Sequence, residues 1–148
     1  MSKKRKISEA ALTISTRIKV RFSEVDSMRV VWHGQYVRYF EDGREAFGEK
    51  YGLSYSSIYD NGYTAPIVDL TCQYKAPLTF GEEAVVEARY IATDAAKILF
   101  EYTIYQGDGV TVAAIGSTMQ VFLNSENDNK LELVNPQFYL DWKKRWNI

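Results

Sequence analysis

Between residues 13 and 22 apolar and polar side chains alternate, with Ile14, Thr16, Ile18, Val20 and Phe22 on one parity and Ser15, Arg17, Lys19 and Arg21 on the other. Successive side chains of a strand point to opposite faces, so the pattern predicts a strand with one buried face. The alternation breaks over residues 23–34. From Gln35 the period changes, and Tyr36, Tyr39, Phe40, Gly43, Ala46, Phe47 and Tyr51 recur at three- and four-residue intervals. This is the stripe of an amphipathic helix, which Gly52 is placed to stop. Gly43 on that stripe lets the helix backbone approach whatever lies beneath it. After a polar connection with scattered aromatics over residues 54–61, Val68, Leu70, Cys72 and Tyr74 alternate with Asp69, Thr71, Gln73 and Lys75 until Pro77. This reads as the clearest half-buried strand of the chain. Residues 84–93 and 97–106 predict two strands joined by a turn at 94–96. Gly107-Asp108-Gly109 predicts another turn, and residues 110–123 a last strand apolar on both faces. Residues 136–146 predict a short terminal helix with Phe138, Leu140, Trp142 and Trp146 as its packing side chains.

One strand, a long helix and four further strands, with neighbours joined by tight turns, make an α+β domain with an antiparallel sheet rather than a βαβ alternation. A single helix covers only one face of a five-stranded sheet, and some strands are apolar on both parities, so the pattern predicts self-association. Nothing in the composition divides the chain. The expectation is a flexible tail over residues 1–12 and one domain over residues 13–148 ending in a helical extension. A length of 148 residues with 46% hydrophobic and 14% aromatic content supplies one core.

Charge and composition then narrow the function. Eighteen basic residues against 19 acidic ones leave a net charge of -1, so no general field draws the protein to nucleic acid or anionic lipid. No apolar run approaches the roughly 18 residues of a membrane span, and none is expected. The single cysteine, Cys72, closes no internal disulfide, which makes the cytoplasm the economical location. One histidine and one cysteine do not supply metal-ligand spacing, so neither a metal nor another cofactor is expected. There is no Gly-x-Ser-x-Gly elbow, phosphate loop or dinucleotide-binding glycine motif either.

What remains is the irregular stretch between the first strand and the helix, which carries Asp26, then His33, Gly34, Gln35 and Tyr36. A helix start presents unpaired N–H groups and the positive end of the helix dipole. His33-Gly34-Gln35 offers none of the usual Ser, Thr, Asp or Asn caps, leaving those amides to a ligand. Aspartate is ionised at neutral pH and can attack an acyl carbon or activate water. The same residues also suit a plain turn aspartate and a surface histidine, and spacing does not choose between the readings.

The stretch from Val20 to Glu41, with its Asp26, a His33 seven residues later and a Tyr36 three further on, resembles the active-site signature of the 4-hydroxybenzoyl-CoA thioesterase-like hot-dog family. It is most similar to the branch of short-chain acyl-CoA thioesterases associated with the Tol-Pal system. The resemblance implies a five-stranded antiparallel sheet wrapped around one long helix, and hydrolysis of an acyl-CoA or acyl carrier protein thioester. It implies Asp26 as catalytic nucleophile or base, His33 as oxyanion donor through its amide with an added imidazole role, and Tyr36 in substrate binding. It also implies a homodimer or homotetramer with sheets joined edge to edge and active sites between subunits. A non-catalytic acyl-CoA binding or sensing module is the alternative function. One position departs from the family pattern: the glycine often found three residues after the aspartate is Arg29 here. If that site needs a positive φ, an arginine there is strained.

Overall fold

A computed structural model describes residues 10–148, apart from the side chains of residues 10 and 11. The tail expected over residues 1–12 lies outside the described residues up to residue 9, and the first strand takes up the chain at Ala10. Strand β1 (Ala10–Lys19) is followed by a 3-10 turn (Phe22–Glu24) and the long helix α1 (Gln35–Tyr51). A short helix α2 (Tyr55–Asp60) and strand β2 (Tyr63–Thr64) lead into β3 (Ile67–Tyr74), β4 (Glu83–Ile91), β5 (Lys97–Tyr105) and β6 (Val112–Val121). The chain closes with β7 (Leu123–Asn124), β8 (Lys130–Leu131) and helix α3 (Gln137–Arg145). The main sheet is antiparallel in the order β1-β4-β5-β6-β3, and β2, β7 and β8 form a small second sheet.

Helix α1 lies along the sheet over β1, β4 and β5. Its stripe is the expected one: Tyr36, Tyr39, Phe40 and Phe47 are all buried, the two phenylalanines each contributing about 1.5–3 kcal/mol of transfer free energy. Gly43 sits where a Cβ would come within 2.9 Å of Val86 and 3.4 Å of Ala88, so the helix rests directly on β4. Gly52 ends the helix in the left-handed conformation at φ 76°, with its N–H donating to the Gly48 carbonyl.

Several expectations need correction. Strand β1 stops at Lys19. The chain then turns through the 3-10 segment, so Phe22 is 78% exposed and packs only edge-on against Phe80. Successive strands are not all neighbours: β3 and β4 lie apart, separated by β5 and β6, because β4 pairs with β1. Strand β3 is an outer edge that α1 covers only in part, and Val68 (56%) and Tyr74 (51%) are exposed instead of half-buried. The connection at 54–61 holds α2, capped by Ser54 Oγ, which accepts from the Ser57 N–H. In α3 the expected Phe138, Trp142 and Trp146 pack against the core together with Tyr139, which the pattern did not single out, while Leu140 is 42% exposed. The Tyr139 phenol bonds that of Tyr90, and the indoles of Trp142 and Trp146 both donate to the Tyr51 carbonyl at the end of α1.

The sheet face turned away from α1, where self-association was expected, is closed in part by its own polar side chains. Arg89 is paired with Glu87 and donates to Thr103 at 3.0 Å, and Thr71 bonds Ser117 at 2.6 Å. Within the main sheet the exposed large apolar side chains are Ile67, Val68, Leu70 and Tyr74 on β3 and Ile115 on β6.

Candidate functional site

Asp26 stands on a small hairpin that leads into α1. Its N–H donates to the Val30 carbonyl at 2.9 Å, its carbonyl accepts from the Arg29 N–H at 2.9 Å, and Val25 bridges Val31. This is a four-residue turn closed by a bulge in which Arg29 takes the left-handed position, at φ 64°. The conformation that usually selects glycine is therefore present with an arginine in it. Val31 is buried and Val25 packs against the core, so Asp26, on the opposite parity, points away from the interior and is half-exposed. One carboxylate oxygen, Oδ1, accepts from the Met28 N–H at 2.8 Å. The turn role and an available second oxygen thus coexist in one residue.

The hairpin is tied to the helix by Glu24. Its Oε1 accepts from the Arg21 N–H at 2.8 Å and from the Tyr39 hydroxyl at 3.0 Å, and its Oε2 accepts from Gln35 Nε2 at 3.0 Å. Burial, followed by the Glu24 carboxylate, pushes the Tyr39 phenol far above the usual range, so it stays protonated and donating. Sequence reasoning missed this anchor. Tyr39 was visible on the helix stripe, but the partnership bridges spacings of 11 and 15 residues that no periodicity marks.

At the helix start, Gly34 occupies the capping position and no side chain caps it. The Gln35 N–H donates to the Trp32 carbonyl, whereas the amides of His33, Gly34 and Tyr36 find no acceptor among the described residues. The His33 ring is exposed and lies 4.9 Å from the Trp32 ring, while its carbonyl accepts from the Tyr74 hydroxyl at 2.6 Å. A Cβ on Gly34 would fall 2.2 Å from the Trp32 ring, so this indole presses onto the backbone just ahead of the helix. Tyr36, expected to meet substrate, is 3% exposed and packs edge-on against Tyr74 at 5.0 Å. Burial pushes its phenol up, and its side chain belongs to the core, while its main-chain N–H bonds no described residue.

The register sets Asp26 opposite Val30, three residues before His33. At about 3.3 Å per residue the two backbones are roughly 10 Å apart along the hairpin arm. The aspartate side chain, an attack distance of about 3–3.5 Å and an oxyanion hydrogen bond of about 2.7–3.1 Å, placed end to end, cover a gap of that order. Cys72, the other nucleophile type nearby, is held as a thiol because burial pushes its pKa up.

Two clefts flank α1, and Asp26, His33 and Tyr36 line neither. One, of about 590 Å³, lies at the far end of the helix over an apolar floor of Leu53, Ile58, Ala65, Ile98 and Phe100. The other runs between β1 and α1, where Arg17, Lys19, Arg21 and Arg38 interleave with Glu24, Glu41, Asp42, Glu45 and Glu49. Around Asp26 itself the surface is apolar and open: Met28 is 75% exposed, Trp32 52% and Phe80 55%.

Comparison with known proteins gives a concordant result. The chain matches the Thioesterase-like superfamily over residues 20–141. It is 31% identical over 128 residues to the Bacillus subtilis protein named "Putative acyl-CoA thioesterase YneP", which covers 86% of this chain and 93% of that protein. An Arabidopsis thaliana acyl-acyl carrier protein thioesterase, ATL3, is 35% identical over 89 residues, 60% of this chain and 47% of the plant protein. Among solved structures, a DHNA-CoA thioesterase from Staphylococcus aureus superimposes with a TM-score of 0.80 at 26% identity, covering 91% of this chain and 89% of that one. The sheet wrapped on one long helix is the hot-dog arrangement, and the chain belongs to the thioesterase-like superfamily.

Proposed function

We propose that the protein is an acyl-CoA thioesterase in which the substrate carbonyl oxygen docks on the free amides at the start of α1. Asp26 either attacks the acyl carbon to form an anhydride that water then hydrolyses, or takes a proton from a water that attacks it; in both routes the C–S bond breaks and coenzyme A leaves as a thiolate that takes up a proton supplied by that water. The observation that carries this reading is a half-exposed carboxylate, anchored through its turn, ahead of a helix start that no side chain caps. Hydrogen bonds to the developing oxyanion commonly lower the barrier to acyl transfer more than any other single effect. His33 enters through its main-chain N–H, with its exposed imidazole beside the reacting group, and Tyr36 through its amide.

The site is shared between copies in this reading. An edge strand with exposed Val68, Leu70 and Tyr74 is a template for pairing. Antiparallel pairing of β3 with a second β3 sets the Ile67 end of one chain, beside the apolar cleft, against the Tyr74 end of the other, beside His33. The acyl group then runs from one copy's helix start toward the other copy's cleft, in a homodimer or a homotetramer built from it. Both coenzyme A and acyl carrier protein esters fit this chemistry, as the names of the relatives indicate. Placement in the Tol-Pal-associated short-chain branch rests on the resemblance of the stretch from Val20 to Glu41 alone. The cytoplasm is the location consistent with an acyl-CoA substrate, and no described helix is long and apolar enough to cross a membrane.

Thiol release from a panel of acyl-CoA and acyl carrier protein esters tests the reading. Asp26→Asn is expected to lose at least 10²-fold in kcat, and His33→Ala much less, because the substitution leaves the amide in place. Equal rates for wild type and Asp26→Asn overturn it, and tight binding of intact acyl-CoA without turnover favours a sensing module instead.

A further inference from the structure

We propose that Tyr74 is a positioning residue for the oxyanion site, acting through the peptide that joins His33 to Gly34. This rests on the thioesterase reading above and adds to it a residue on a different element from those the sequence pointed to. The Tyr74 hydroxyl donates to the His33 carbonyl at 2.6 Å, across 41 residues of sequence. That carbonyl and the Gly34 N–H belong to one planar peptide group and point in opposite directions. Holding the oxygen toward β3 therefore aims the N–H away from β3. A donor on the carbonyl also polarises the group, making the N–H a stronger donor in turn.

Two further features fit this role. The helix start has no side-chain cap, so no other described side chain hydrogen-bonds this peptide. The Tyr74 ring is itself held edge-on against the buried Tyr36, which is fixed in the core of α1. The lever from β3 to the peptide is rigid at both ends. Burial, followed by the neighbouring Cys72, raises the Tyr74 phenol, so the donor persists through the neutral range.

Tyr74→Phe deletes the donor and keeps the ring against Tyr36. The expected result is a fall in kcat for acyl-CoA hydrolysis of about ten-fold, smaller than the 10²–10³ lost when an oxyanion donor is deleted outright. KM and the melting temperature should stay within error of wild type. The Gly34 amide nitrogen resonance, read by NMR in the same two proteins, should move upfield as its carbonyl neighbour loses a hydrogen bond. An unmoved Gly34 resonance overturns the proposal regardless of activity, and so does an active wild type matched in kcat by Tyr74→Phe. A kcat loss that comes with an equal fall in stability or a rise in KM overturns it as well, because that is the signature of general loosening. A wild type inactive on every thioester removes the reading beneath the proposal and the proposal with it.

Discussion

Replacing Arg29 with glycine should stabilise this protein, a direction opposite to that of most substitutions. Among the described residues, the non-glycine positions with positive φ are Arg29 at 64°, Asp128, Asn129 and Asn147. Asp and Asn tolerate that region through local hydrogen bonds, whereas a long side chain with a Cβ does so at a cost of about 1–2 kcal/mol. Glycine removes this cost but gives back roughly 0.5–1 kcal/mol of backbone entropy to the unfolded chain. The net gain is about 0.5–1 kcal/mol. The Arg29 side chain is exposed and bonds no described residue, and its N–H bond to Asp26 survives the change, so nothing offsets the gain. At roughly 2–4 °C per kcal/mol for a domain of this size, the melting temperature should rise by about 1–4 °C. The urea midpoint should move by a few tenths of molar at an unchanged slope. Arg29→Ala is the control, since it removes the guanidinium and keeps the Cβ, and it should gain almost nothing. Should alanine stabilise as much as glycine, the strain lies in the charge or the side chain and not in φ, and the account of the hairpin is wrong.

Two other substitutions probe packing and charge. Gly116→Ala places a Cβ 2.5 Å from both the Phe40 ring and the Thr71 carbonyl oxygen; the latter is backbone and cannot give way, so a loss of about 1–3 kcal/mol is expected in chemical denaturation. Asp42 has its carboxyl pKa raised by burial first and then by Glu45, Glu24 and Glu41, so the folded state binds its proton more tightly than the unfolded state does. Ionised Asp42 therefore opposes folding above its folded pKa, and the opposition vanishes as pH falls through that value. Asp42→Asn should raise the melting temperature at pH 7–8, with the gain shrinking toward about pH 4; a gain that persists in acid would refute the assignment.

The local elements around the candidate site were more legible than their assembly. The 3.6-residue stripe of α1, the Gly52 stop and the Gly43 approach to β4 were all readable, because each is a local rule written at fixed spacing. The strained Arg29 was visible as a departure at a position that favours glycine, and the structure puts it at positive φ. Strand β3 misled, since its alternation is that of any half-buried strand while its cover depends on where the sheet places it. Tyr36, three residues after His33, stands by the same spacing on the buried stripe of the helix.

By itself the sequence determined the period of each long element, the lack of histidines and cysteines for metal or disulfide chemistry, and the position of Asp26 ahead of a helix without a capping side chain. Only the tertiary structure decided that β3 is an edge, that Glu24 joins Gln35 and Tyr39, and that Tyr74 grips the His33 carbonyl. Local preferences arise from sterics and side-chain period within a few residues, so they are written along the chain. Contacts across tens of residues depend on which strand pairs with which, a choice set by the joint burial of the whole core.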